Sequence, residues 1–150
     1  MIRRRNAQQV FDTALIHLIT QGVPAYDIQA EECQYRTKIT PKNPVVLKCG
    51  VGGVITDKEY RVEMEGKNVS SLADPDFYGK ILLPKALRGF RGLLADIQAL
   101  HDDVMVNKDG KHLNPTESKF IKFAKDTCHN HNLSFDNVQA FIEAKKEANG

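Results

Sequence analysis

Val10, Phe11, Ala14, Leu15, Leu18 and Ile19 recur at the spacing that puts them on one face of a helix, which turns once in about 3.6 residues. Asn6 stands where an N-cap belongs, Gln9 at the reciprocal position of a capping box, and Gly22 with Pro24 closes the segment. The pattern predicts a first helix that begins at Ala7. Between residues 23 and 50 the helical period disappears. Cys33 and Tyr35 on one side of the breaker-rich "TPKNP", and Val45, Val46 and Leu47 on the other, read as two short strands of a hairpin. Such a hairpin would place Cys33 and Cys49 on neighbouring strands, their sulfur atoms within reach of one another yet reduced. "TDKE" then reads as a capping box, Thr56 with Glu59, opening a short helix that carries Tyr60 and Met64 and stops at Gly66.

In the second half, Leu87, Phe90, Leu93, Leu94, Ile97 and Leu100 share a face, which predicts the longest helix from Pro84 to about Asp102, the spine of the core. Gly89 and Gly92 within it imply close helix packing or a ragged first turn. "NPTE" offers a further start, with Asn114 as cap and Pro115 at the first helical position, followed by Phe120, Ile121, Phe123 and Ala124. Ser134 opens the last helix, whose Val138, Phe141 and Ile142 face inward. The expected fold is mainly α (α+β), with about five helices around one core and a small two-stranded hairpin. Residues 1–150 are expected to form a single domain, residues 1–6 being a frayed arm.

Composition agrees with one core, since a chain of 150 residues, 41% of them hydrophobic, buries roughly 70% of its unfolded surface on folding. Lysine and arginine number 21 against 19 aspartates and glutamates, an ordinary mixed surface. Arg3, Arg4 and Arg5 are the basic cluster, too short for a nucleic-acid footprint, so nucleic acid is not an expected partner. No apolar run approaches the roughly 20 residues that span a bilayer, and the charged start lacks the apolar block of a secretory signal. The expectation is a soluble, cytoplasmic protein without a membrane partner. Three cysteines without regular spacing fit reduced thiols better than a disulfide framework.

Three chemistries compete for the polar residues. A zinc site could join Cys33 and Cys49 to a histidine of "CHNH" (Cys128, His129, His131), but the paired C-x-x-C spacing is missing, and neither a metal nor another cofactor is expected. Nucleophilic catalysis could use Cys49 as a thiolate with His101 and Asp102 as base and orienter, or the chain could act on a phosphorylated substrate. The plainer role for His101 is a polar residue near a helix C-terminus. The third chemistry is anion binding. "GVGG" does not continue into a dinucleotide fingerprint, but a sharp turn with positive φ at Gly50, Gly52 and Gly53 would aim backbone amides into a recess shared with Tyr35, Arg36, Lys48 and Tyr60. Arg36 supplies a planar fork for phosphate or carboxylate. The structural alternative is a plain corner, with Arg36 solvated or paired to Glu63 or Glu65.

The run C-x-Y-R … K-C-x-V-G-G-x-I-x-D-x-x-Y … M-E-G, flanked by "FDTALIHLITQG" and "LLADIQALHDD", resembles a family of small uncharacterised bacteriophage and mobile-element proteins. Gly53 stands where that family tends to have another cysteine, and "TKITPKNPVVL" replaces a tighter turn. The resemblance implies an accessory protein acting inside an infected bacterial cell. Together with the anion cradle, it leads to the expectation of a binding or sequestering module for a host protein or a small anionic molecule.

Overall fold

The first helix, α1 (Ala7–Gln21), forms as its pattern dictates. Asn6 accepts from Gln9 N, Gln9 returns the bond to Asn6 N, and Gly22 closes the helix at φ 75°. Its apolar stripe is wholly buried. The computed structural model describes residues 5–27, 29–42, 44–75, 81–107, 109 and 111–149. Arg3 and Arg4 of the expected arm lie outside the described residues. Arg5, expected to be frayed, is instead tied down, donating to Val54 O at 3.1 Å and pairing with Glu59 at 3.0 Å.

The fold is mainly helical with one small antiparallel hairpin, in which β1 (Tyr26–Asp27) pairs with β2 (Glu32–Cys33). The hairpin lies earlier in the chain than the sequence suggested. Asp27 Oδ1 accepts from Gln29 N and Ala30 N, and Glu31 takes a left-handed φ of 51°, so the turn is made locally before Cys33. Of the expected pairing across "TPKNP" there remains an isolated Arg36–Lys48 bridge, clamped by Thr37 N to Leu47 O and Leu47 N to Thr37 Oγ1. Cys33 therefore pairs with Tyr26, and Cys49 caps a helix.

That helix, α2 (Gly50–Val54), is the main departure from expectation. "GVGG" is not a turn with positive φ, which among the described glycines occurs at Gly22 and Gly66. It is a buried single helical turn wedged between α1 and the later helix α4 (Arg91–Ala99). The reason is space: a Cβ on Gly52 would lie 2.1 Å from the carbonyl oxygen of Tyr35, and one on Gly53 2.6 Å from the His17 ring. Only glycine lets the backbone approach so closely.

Thr56 and Glu59 do form their reciprocal bonds, but these close a turn without opening a helix; a short 3₁₀ turn follows at Val62–Met64. After α3 (Val69–Leu72), the expected long helix arrives in three pieces: a 3₁₀ turn at Lys85–Phe90, then α4, then a π turn at Leu100–Met105. Gly89 has nothing within 4 Å, so the glycines mark a ragged first turn and not a close packing. α1, with 15 residues, is the longer helix. "NPTE" folds as a turn in which Asn114 accepts from Thr116 N, and α5 (Ser118–Asn130) starts just after it, leaving Phe123 exposed. In α6 (Asp136–Asn149), Ser134 Oγ accepts from Asp136 N at the start.

The core is a contiguous cluster to which α1, α2, α4, α5 and α6 contribute. α4 lies against α1, α2 and α3, and Leu94 and Ile97 have no exposed surface. Among the described residues no helix is long and apolar enough to cross a membrane. Because Leu94 is fully enclosed, Leu94→Ala should cost about 2–5 kcal/mol in urea titration; a loss below about 1 kcal/mol would mean that this face is not a packed core.

Candidate functional site

The wedge of α2 brings the start of that helix, the chain after β2 and the π turn of α4 to one place. Between them opens a recess of about 270 Å³, lined by Cys33, Tyr35, Cys49, Gln98 and Asp102, with Glu32 and Lys67 also contributing. Its walls are fixed by bonds behind them. Tyr35 Oη donates to Lys67 O at 2.7 Å and accepts from Gln98 Nε2 at 3.0 Å, while Gln98 Oε1 accepts from Val69 N. Gln98 spans two elements and holds the ring in one orientation.

The π turn has a distinct effect. Val106 N donates five residues back to His101 O, and the wider turn carries His101 into the core with no exposed surface. Ala25 N donates to His101 Nε2 at 2.8 Å, so that nitrogen is the acceptor and Nδ1 carries the proton. Nδ1–H then donates to Asp102 Oδ1 at 2.7 Å. The Cys33 sulfur lies within 4.8 Å of the same carboxylate. Asp102, its side chain 30% exposed, thus sits in the recess held by the His101 ring.

Cys33, His101 and Asp102 place ligand atoms within 4.8 Å of one another, a spacing that suits a metal ion. The donor set does not. Nε2 spends its lone pair on Ala25 N–H and Nδ1 carries a proton, so coordination would require breaking one bond of a buried pair. The zinc set considered from sequence is also dispersed. Cys128 donates to Leu133 O, His131 pairs with Asp96 at 2.6 Å, and His129 is exposed.

Of the residues nominated for catalysis, Cys49 is 2% exposed, and burial pushes its thiol up to about 12 against the help of the Gly52 amide. Cys33, whose sulfur lies near Asp102, has its pKa raised further still, first by burial and then by that carboxylate. Neither thiol is a thiolate at neutral pH, the form that attacks.

The nominated anion-binding residues separate into four places. Tyr35 lines the recess. Gly50 and Gly52 are buried, and the amides of Gly52 and Gly53 are already donated to Cys49, to Sγ at 3.2 Å and to O at 2.9 Å. Lys48 and Gly53 line a different groove, beside Arg5. Arg36 stacks on Tyr60, 4.6 Å from the ring centre, and spends its fork on Ile55 O at 3.2 Å and Asp57 at 2.8 Å. Its partner is Asp57, not Glu63 or Glu65; Glu65 accepts from the backbone amides of Tyr35 and Arg36 and from Tyr60 Oη. This is the corner, built round Arg36 and Glu65. Sequence reasoning missed Gln98 and the nearness of Cys33 to Asp102, and named Glu65 only as a partner for Arg36. The signal for Glu65 was present in "MEG", a carboxylate beside a glycine that takes φ 77°, but the backbone amides it accepts from lie some 30 residues away.

No family model, curated protein or solved structure matches the chain.

Cys33, Cys49 and Cys128 are all free. With all three raised by burial, alkylation of the native protein at pH 8 should be far slower than that of an unfolded cysteine, with Cys33 modified first. Mass spectrometry of iodoacetamide-treated protein checks this; rapid labelling of native Cys49 would mean that it is an activated, accessible thiolate.

Proposed function

We propose that the chain works by binding, as a phage-type accessory protein in the cytoplasm of a bacterial cell that holds a small ligand in the Cys33–Asp102 recess. The observation that supports this most directly is the state of His101: both nitrogens are committed and no surface is exposed, so the base that thiolate catalysis requires is spent on structure. The recess walls are locked before any ligand arrives, which lowers the ordering cost of binding. Its volume lies just under the ~300–1,000 Å³ of drug-sized pockets and suits a fragment-sized ligand.

Asp102 and Glu32 face one lysine, Lys67, in the lining. A ligand that presents a cationic or neutral hydrogen-bond donor to Asp102 fits this field better than the small anion expected from Arg36 and the glycines. Thermal-shift titration with primary amines and guanidinium compounds, run beside phosphate and acetate, tests the reading. Donor compounds should stabilise the wild type, with the response lost in Asp102→Asn and weakened in Glu32→Gln, the milder change at an exposed position. Lys146→Ala, exposed on α6 and away from the recess lining, should respond like the wild type. Stabilisation by the anions instead, or an undiminished response in Asp102→Asn, would overturn the assignment.

A further inference from the structure

Lys58, Arg61, Lys85 and Arg88 are all exposed and line a second groove, of about 700 Å³, that shares no lining residue with the recess. Its floor is apolar: Leu82 and Leu83 are buried beneath it. Glu59, the acidic residue of the described lining, is already engaged by Arg5 at 3.0 Å and by Thr56 N at 3.0 Å. Among the described residues, nothing pairs with the side chains of Lys58, Arg61 or Lys85, and Arg88 uses only Nε, donated to Leu83 O at 3.0 Å. Four cations are therefore gathered over hydrophobic ground without counter-charges of their own among the described residues, on a chain whose acidic and basic residues are otherwise nearly balanced.

The lining also narrows the choice of partner. Single-stranded nucleic acid is held by a basic groove together with aromatic platforms for its bases, and no aromatic side chain is among the described lining. A small inorganic anion would use the cations and leave the floor empty. A peptide with carboxylates flanking an aliphatic side chain uses both. We infer that this groove docks an acidic segment of another protein, whose carboxylates pair with Arg61, Lys85 and their neighbours while an aliphatic side chain settles over Leu83. The surface is separate from the recess and does not depend on a ligand there.

Fluorescence anisotropy with a labelled peptide alternating glutamate and leucine, added to the full chain, tests this. The glutamate–leucine peptide should bind, more weakly as salt rises, and better than a glutamate–serine peptide or a lysine–leucine peptide. The double substitution Arg61→Glu with Lys85→Glu should weaken it by about tenfold or more, while Lys146→Glu, exposed on α6, should leave it unchanged. Both changes are on the surface, and a urea titration shows that the fold is kept. Tighter binding of oligothymidine than of the peptide would transfer the groove to nucleic acid. A wild-type dimer in sedimentation, dissolved by the same double substitution, would assign the groove to a second copy. Equal binding by the double variant, or no peptide binding up to about 1 mM, would remove the docking site altogether.

Discussion

The backbone of Gly52 lies against the backbone of Tyr35, and the rest of the molecule depends on that approach. No flexible side chain stands between them to move aside: an added Cβ would meet the Tyr35 carbonyl oxygen itself. With the two segments in contact, α2 fits as a single turn between α1 and α4, and its other glycines face Ile97 and His17 at similarly short range. A residue with any side chain would push the segment of Tyr35 and Arg36 away from the core. The glycines thus answer a packing demand, not a conformational one.

The recess follows from the same contact. Because Tyr35 is held against α2, its ring enters the core and its hydroxyl meets Gln98 of α4. Cys49, at the start of α2, becomes a buried cap. Across the recess, the π turn folds His101 inward, and Asp102 is left at the wall with the His101 ring donating from behind. On the far side of Tyr35, Glu65 gathers two backbone amides and the Tyr60 hydroxyl, and Arg36 lies over the Tyr60 ring. A carboxylate accepting several strong donors is a firm anchor for irregular chain, which explains how a segment with so little regular structure keeps its shape.

What the sequence disclosed was whatever is local. The stripe and caps of α1 lie within one helix, and so were legible from spacing alone. The class of fold followed from the number of such stripes. Less legible were the features decided by distant partners. "GVGG" looks like a turn because glycine is read for its freedom of φ, whereas here it is selected for its lack of a side chain. Thr56 and Glu59 made their capping box, yet Glu59 is also pulled to Arg5, and no helix follows. The apolar face of 87–100 was real, but spacing could not show that it is assembled from 3₁₀, α and π turns. For the site, Tyr35, Cys49 and Asp102, named from sequence for two different chemistries, come to line one recess, while the nearness of Cys33 to Asp102 needed the fold.

Comparing Gly52→Ala with Gly89→Ala in urea shows whether the backbone contact between Gly52 and Tyr35 holds the fold. Both replace a glycine outside the left-handed region within a helical segment, so both should gain similarly from reduced freedom of the unfolded chain. Gly89 has open space around it, and its variant should stay within about 1 kcal/mol of the wild type. Gly52→Ala should lose at least about 2 kcal/mol or fail to fold, because its new methyl group meets backbone. A Gly52→Ala protein as stable as Gly89→Ala would mean that the molecule does not depend on this backbone contact.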